Sequence, residues 1–242
     1  CLTQYLMNEH LLKSLESSVN KMGVALRIQF ERWTEITDKF KIDKNDAITN
    51  FEHSFDGVLE TVHSVDDNLR KLKLVEKQNT VLRFLNLIRN IRHHDSSKLP
   101  FSLTKNILMG EWAGEWFKHG LNINGEEANL PMIIPLEITQ FVKTFNGFIE
   151  SGRSKQEHLD QIISELFLEN FYKNQKSETI PTVLDINPII VVSCNYLFRT
   201  IKENNLNLKI LEDAETYFDL FSSMRDVRLT KPKIDMLKKL IN

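Results

Sequence analysis

Apolar residues recur every three to four positions through most of this chain, and this spacing constrains its fold more than any other feature. The clearest stripe holds nine apolar residues between Val65 and Ile91, while the basic side chains lie largely off it. We interpret the stripe as one amphipathic helix that ends near His93 or His94, because turn-forming residues and then a proline follow. The sequence therefore predicts an all-α helical bundle.

The flanking segments fit the same class. Helical spacing begins at Leu2, with a break expected at Gly23, and Asp46 is expected to cap the next helix. The Asn124-Gly125 dipeptide favours at most one hairpin. Further helical spacing covers 103–117, 136–149, 159–171, 189–201, 214–224 and 231–240.

These patterns divide the chain into three regions. Residues 1–100 are predicted to form a helical bundle, 101–135 a connector with a possible short hairpin, and 136–242 a C-terminal helical region. The two helical regions can pack as one unit. With 242 residues, of which 41% are hydrophobic and 26% charged, the chain is long enough and apolar enough to bury a proper core.

Composition also excludes several classes of protein. No apolar run approaches the roughly 18 to 20 residues that a membrane-spanning helix needs. The two cysteines, Cys1 and Cys194, lack the neighbours of a disulfide framework or a structural zinc site. We therefore expect a cytoplasmic protein without a membrane partner. The alternative is a processed form such as a mature lipoprotein, which also begins with cysteine.

Positive charge is concentrated in one part of the sequence. Residues 70–105 contain nine basic and two acidic residues, a net charge of +7, whereas the rest of the chain carries −9. Such a stretch is either an ordinary solvated helix face or a surface for an acidic partner such as RNA.

One motif within this basic stretch carries chemistry. It reads Arg89-Asn90-Ile91-Arg92-His93-His94, an arginine, an asparagine, three further residues and a histidine. This pattern resembles the R-N-x-x-x-H motif of the HEPN superfamily, helical domains common in RNA-cleaving toxins and antiphage effectors. The resemblance covers about residues 50–99. It implies a HEPN-like N-terminal bundle and an endoribonuclease activity.

The residue types suit RNA cleavage without a metal or a cofactor. The ribose 2′-OH is then the nucleophile, and the reaction needs a base, an acid and positive charge beside the phosphorane. Histidine titrates near neutral pH, so His94 is the expected base. Arg89 offers a planar fork to two phosphate oxygens, and Asn90 can hold either partner through its amide. We therefore expect Arg89, Asn90 and His94 to be the catalytic residues.

Helical geometry leaves the pairing of these residues open. Residues five apart diverge by about 140° on a continuous helix, so Arg89 and His94 converge only where the helix ends or bends. His93 is better aligned with Arg89 but lacks the family's spacing. The same side chains also suit a plain helix C-terminus, where basic groups interact with free carbonyls. The residues expected to contact RNA are Arg83, Arg92, His93 and Lys98.

The resemblance has consequences for partners and control. An acidic residue from another helix sometimes fixes the motif arginine in such domains, and Glu52, Asp56 and Glu60 all remain candidates. One motif supplies one histidine, so we expect a homodimer whose two copies complete a composite site. An antitoxin or regulatory protein is a possible further partner. HEPN toxins that are controlled by adenylylation carry a tyrosine where this chain has Ser96.

Two functions from different classes follow. The first is a metal-independent HEPN-type endoribonuclease that acts as a toxin or antiphage effector. The second is a catalytically silent helical module whose basic helix binds RNA or an acidic partner.

Overall fold

The computed structural model describes residues 2–75, 79–94, 119–123, 126–130, 134–165, 183–225 and 227. These residues contain seven helices and only short strands, so the predicted all-α class is confirmed. The helices are α1 (Leu2–Ile42), α2 (Lys44–Lys71), α3 (Thr80–His94), α4 (Ile138–Glu150), α5 (Gln156–Glu165), α6 (Asn187–Glu203) and α7 (Glu212–Ser223). The strands are β1 (His119–Ile123), β2 (Glu126–Leu130), β3 (Pro135–Glu137) and β4 (Val183–Asp185).

Backbone proximity divides the chain into two compact units. The first joins Cys1–Arg89 to Ile190–Arg225, and the second joins Asn90–Ile189 to Asp226–Asn242. Each unit is built from two separate stretches of sequence, which a linear pattern of periodicity does not reveal. The division at residues 100 and 136 stays a prediction.

In the first unit, α1 and α2 run antiparallel and share polar contacts inside an apolar seam. Asn68 donates to the hydroxyl of Ser18 at 3.0 Å near one end. Ser54 donates to the side-chain oxygen of Gln29 at 2.5 Å further along. The chain reverses between the two helices at Asp43.

Asp43 caps α2, so the prediction that Asp46 is the cap is wrong. The Asp43 carboxylate accepts a hydrogen bond from the backbone N–H of Asp46 at 3.0 Å. Asp46 itself lies in the first turn, where a negative charge still interacts favourably with the helix dipole. Aspartate suits either position, so only the point at which the chain reverses shows which of the two residues is the cap.

Helix α1 continues through Gly23, so the expected break at this glycine is wrong. A Cβ atom built on Gly23 would overlap Ala214 of α7. The glycine therefore allows two helices to approach closely instead of ending one. Hydrogen bonds of Asn20 to the carbonyl of Lys209 at 2.9 Å and from the N–H of Leu211 at 2.7 Å hold the chain before α7 against α1.

The long apolar stripe belongs to two helices, so the single helix predicted for it is wrong. After α2 the chain turns through Lys73, which has a left-handed φ of 58°, and Leu74 N–H donates to the Leu69 carbonyl at 3.0 Å. At the start of α3, the Asn79 side chain accepts from the N–H of Val81 at 2.9 Å. No glycine or proline marks this reversal in the sequence, and both halves of the stripe remain buried.

Helix α6 completes the core of the first unit. Its Leu197 and Phe198 are fully buried. The Asn195 amide donates to the carbonyls of Phe221 at 2.6 Å and Met224 at 3.0 Å, which satisfies acceptors at the end of α7. Helices α6 and α7 are thus joined by the buried amide of Asn195.

The second unit contains the strands and two further helices. Strands β1 and β2 pair antiparallel on either side of Asn124-Gly125, where a hairpin was predicted. Strand β3 pairs with β4, with Pro135 opposite Asp185. The fully or nearly fully buried side chains of α4 and α5 are Phe141, Val142, Phe145, Leu159 and Ile162.

Most of the other helical predictions match an element. The segments that begin at residues 136, 159, 189 and 214 correspond to α4, α5, α6 and α7. The predicted helices over 103–117 and 231–240, and residues 166–171, lie outside the described residues. Within the ranges that the structure does describe, no helix is long and apolar enough to cross a membrane.

Replacing Gly23 by alanine tests the close approach of α1 and α7. The added methyl group overlaps backbone atoms of Ala214, so we expect the free energy of unfolding to fall by about 1–3 kcal/mol in urea titrations. Gly57→Ala is the matched control, because its Cβ would make only an ordinary 4.0 Å contact with Ala25. That control should be neutral or stabilising by up to ~1 kcal/mol. Equal effects of the two substitutions would contradict the tight helix contact.

Candidate functional site

The arginine of the motif lies on α3 and is held by a carboxylate of α2. Arg89 Nε donates to Glu60 Oε1 at 3.0 Å, and a terminal guanidinium nitrogen donates to Glu60 Oε2 at 2.9 Å. The Arg89 side chain is 25% exposed and that of Glu60 is 38% exposed. The contact is therefore a two-pronged, charge-assisted pair that is partly removed from water.

The antiparallel packing of α2 on α3 explains this pairing. Glu52, Asp56 and Glu60 are spaced along α2, and the sequence alone does not choose among them. The structure places Glu60 level with Arg89 and brings both oxygens of its carboxylate to the guanidinium. Glu60 is thus identified as a residue that orients Arg89.

The Glu60–Arg89 pair limits the directions from which a phosphate can bind Arg89. Its Nε edge, one of the two edges that offer a planar fork, is occupied by Glu60. A phosphate oxygen must therefore approach the other edge of the guanidinium or displace the carboxylate. In the first case Arg89 is a cation of fixed orientation, which is the arrangement that electrostatic stabilisation of a transition state requires.

A second set of polar contacts lies next to the Glu60–Arg89 pair on the same two helices. The Nδ1 atom of His63 is 2.9 Å from the side-chain oxygen of Asn86. The Asn86 amide nitrogen lies 3.2 Å from Asp66 Oδ2, and Arg70 binds the same oxygen at 3.0 Å. The Asp66 side chain is completely buried. These four residues form a polar network through the α2–α3 seam.

Sequence reasoning missed this network, although a signal for part of it exists. His63 follows Glu60 by three residues, and Asp66 follows His63 by three, so the three side chains share one face of α2. Asn86 precedes Arg89 by three residues on α3. The spacing indicates one polar face on each helix. It does not indicate that the two faces meet.

Ion pairs in this part of the structure offset part of the net positive charge of the basic stretch, residues 70–105. Arg70 pairs with Asp66, Lys71 with Asp67, and Arg89 with Glu60. The hydrogen bond from Lys71 holds the pKa of Asp67 below its usual value, against the opposing effect of burial. Among the described residues, at least three basic side chains of the stretch are thus neutralised by carboxylates that precede it in sequence, so the sequence charge of +7 overstates the positive field.

The other predicted site residues are described in part. Asn90, Arg83 and Arg92 are half-buried on α3, and His93 is exposed. Helix α3 includes the backbone of His94, so the divergence of about 140° from Arg89 applies, and His93 lies on the Arg89 side. The His94 side chain and the whole of Lys98 lie outside what the structure describes.

Among the described residues, no group of three or more histidine, cysteine, aspartate or glutamate side chains could hold a metal ion.

Comparison with protein-family models, with curated proteins and with solved structures finds no match to this chain. A functional assignment therefore rests on the chemistry of its own residues, because function resides in sites and not in folds.

The strength of the Glu60–Arg89 pair can be measured through stability. Glu60→Gln keeps the shape of the side chain but removes the carboxylate charge that the half-buried guanidinium binds. We expect a loss of about 1–3 kcal/mol in the free energy of unfolding. Glu203→Gln is the matched control, since Glu203 pairs with Arg199 on the exposed surface of α6 and should cost less than ~0.5 kcal/mol. A Glu60 variant as mild as this control would show that the pair does not join α2 to α3.

Proposed function

We propose that this protein is a metal-independent endoribonuclease of HEPN type, acting as a toxin or antiphage effector. The observation that carries the proposal is the orientation of Arg89 by Glu60 on the helix that holds the R-N-x-x-x-H motif. A plain helix end would use basic side chains to bind its own terminal carbonyls. Two nitrogens of Arg89 bind a carboxylate of a different helix, which a plain helix end does not require.

The proposed reaction is a transesterification within RNA. A base removes the proton of the ribose 2′-OH, and the 2′-oxygen forms a bond to phosphorus. The bond from phosphorus to the 5′-oxygen breaks, and an acid donates a proton to that oxygen. The products are a 2′,3′-cyclic phosphate and a free 5′-OH, and no metal is required. In this scheme His94 is the base, Arg89 stabilises the phosphorane charge and Asn90 positions one of them.

A specific observation favours the second candidate, a silent helical interaction module. The pairing of Arg70, Lys71 and Arg89 with carboxylates of α2 weakens the electrostatic attraction of RNA to this surface. A module that binds an acidic protein partner needs less positive charge than one that grips an RNA backbone. Under this alternative the polar seam only joins two helices.

RNA cleavage in excess chelator separates the two candidates. We expect purified protein to generate fragments with 2′,3′-cyclic phosphate ends, and His94→Ala to slow cleavage at least ~100-fold, as loss of general acid–base catalysis typically does. His10→Ala, at an exposed position of α1, is the control and should remain active. Binding of RNA without cleavage by the wild-type protein would favour the silent module.

The composite site predicts a concentration dependence. The cytoplasmic protein is proposed to be a homodimer in which two motif helices contribute to one cleft, with an antitoxin or regulator as a possible further partner. Cleavage per subunit should then fall on dilution in step with dimer dissociation, measured by sedimentation. A fully active monomer at assay concentration would contradict the composite site while leaving the ribonuclease proposal intact.

A further inference from the structure

His63 occupies the position next to Arg89 in the seam between α2 and α3. It follows Glu60 by one helical turn, and its partner Asn86 precedes Arg89 by nearly one turn. The His63–Asn86 contact and the Glu60–Arg89 pair are therefore neighbouring connections, separated by about 5 Å along the helices. A phosphate bound at Arg89 would lie within reach of an imidazole at this distance.

The hydrogen-bond network assigns the proton on the His63 ring. A carboxylate only accepts hydrogen bonds, so the Asn86 nitrogen must be the atom that faces Asp66. The Asn86 oxygen then faces His63 and accepts a hydrogen bond from Nδ1–H at 2.9 Å. Nδ1 remains protonated in both charge states of the ring. Nε2 is consequently the nitrogen that takes up and releases a proton, and it forms no hydrogen bond to the residues that the structure describes.

Burial of the Asp66 carboxylate, which contacts Asn86, costs free energy. Asp66 is fully buried, and its pairing with Arg70 offsets only part of the cost of removing a carboxylate from water. Apolar side chains of similar volume would join the helices at a lower cost. A buried carboxylate that orients a half-buried histidine through an intermediate group is the arrangement found where an imidazole must be held in one tautomer and direction.

We propose that His63 is a second catalytic histidine of this ribonuclease, a proposal that rests on the proposed function. In its protonated form it donates the Nε2 proton to the departing 5′-oxygen as the bond from that oxygen to phosphorus breaks. The 2′-OH proton goes to His94. Before the next turnover His94 releases that proton to water and His63 takes up a proton from water, so both histidines return to their starting charge states. Because His94 diverges by about 140° from Arg89 on α3, the His94 that acts with a given His63 is that of the second copy in the proposed homodimer.

Several charged groups surround His63. Tyr196 of α6 lies near Asp66, and burial together with the Asp66 charge raises the pKa of this phenol. The charged groups of α2 and α3 in this part of the seam are Glu60, Asp66, Asp67, Arg70, Lys71 and Arg89.

The decisive variant is His63→Asn. The asparagine amide nitrogen takes the place of Nδ1 and can still donate to Asn86, but the variant has no equivalent of Nε2. We expect an unchanged urea midpoint and unchanged RNA affinity, together with a loss of cleavage rate of at least ~100-fold. The pH–rate profile should also lose the decline on its alkaline side, which reports deprotonation of the acid. His53→Asn, at an exposed position of the same helix, is the matched control and should behave as wild type.

The outcomes distinguish this proposal from the proposed function. If wild type and His63→Asn cleave equally with the same pH profile while His94→Ala is inactive, His63 is a packing residue and the ribonuclease proposal stands. If wild type does not cleave RNA at all, both proposals fail. Nitrogen-15 NMR of the histidine rings provides a readout independent of activity. It should show a protonated Nδ1 and an unprotonated Nε2 for His63 at pH 8, and the opposite tautomer would overturn the assignment.

Discussion

The antiparallel contact between α2 and α3 is the constraint on which the candidate site depends. Both helices bury an apolar face, and a row of polar contacts joins one helix to the other. Within that row, the bidentate Glu60–Arg89 pair and the contacts of Asn86 with His63 and Asp66 cross between the helices and depend on the distance between them, whereas the buried Asp66–Arg70 pair lies within α2. Removing one member of a buried pair leaves an uncompensated charge, so the helix spacing and the orientation of Arg89 are coupled.

This contact also redistributes charge. Carboxylates of α2 lie beside cations that belong to the end of α2 and to α3, so a basic stretch of sequence becomes a partly neutral seam. Two copies of such a surface repel each other less than the sequence charge implies. Under the proposed function, the same neutralisation lowers the non-specific attraction of RNA, so binding depends more on oriented groups such as Arg89 and His63.

Among the remaining helices of the first unit, α7 connects to α2 through α1. Helix α1 packs along its length, and α7 approaches α1 so closely that Gly23 has no room for a side chain against Ala214. Asn195 of α6 satisfies carbonyls at the end of α7, which ties the two C-terminal helices together. The unit therefore combines residues 1–89 with residues 190–225, and Glu60, His63, Asn86 and Arg89 all come from its N-terminal stretch.

The sequence by itself determined the helical class, most of the helices and the residues that form their apolar faces. It did so because the period of apolar residues depends only on helix geometry. It did not determine the reversal between α2 and α3, since no glycine or proline marks the turn and both halves of the stripe are buried whether or not the chain folds back. Only the tertiary structure selected Glu60 and joined His63 to Asn86 and Asp66. Those contacts depend on which faces of two helices meet, and the spacing within either helix does not contain that information.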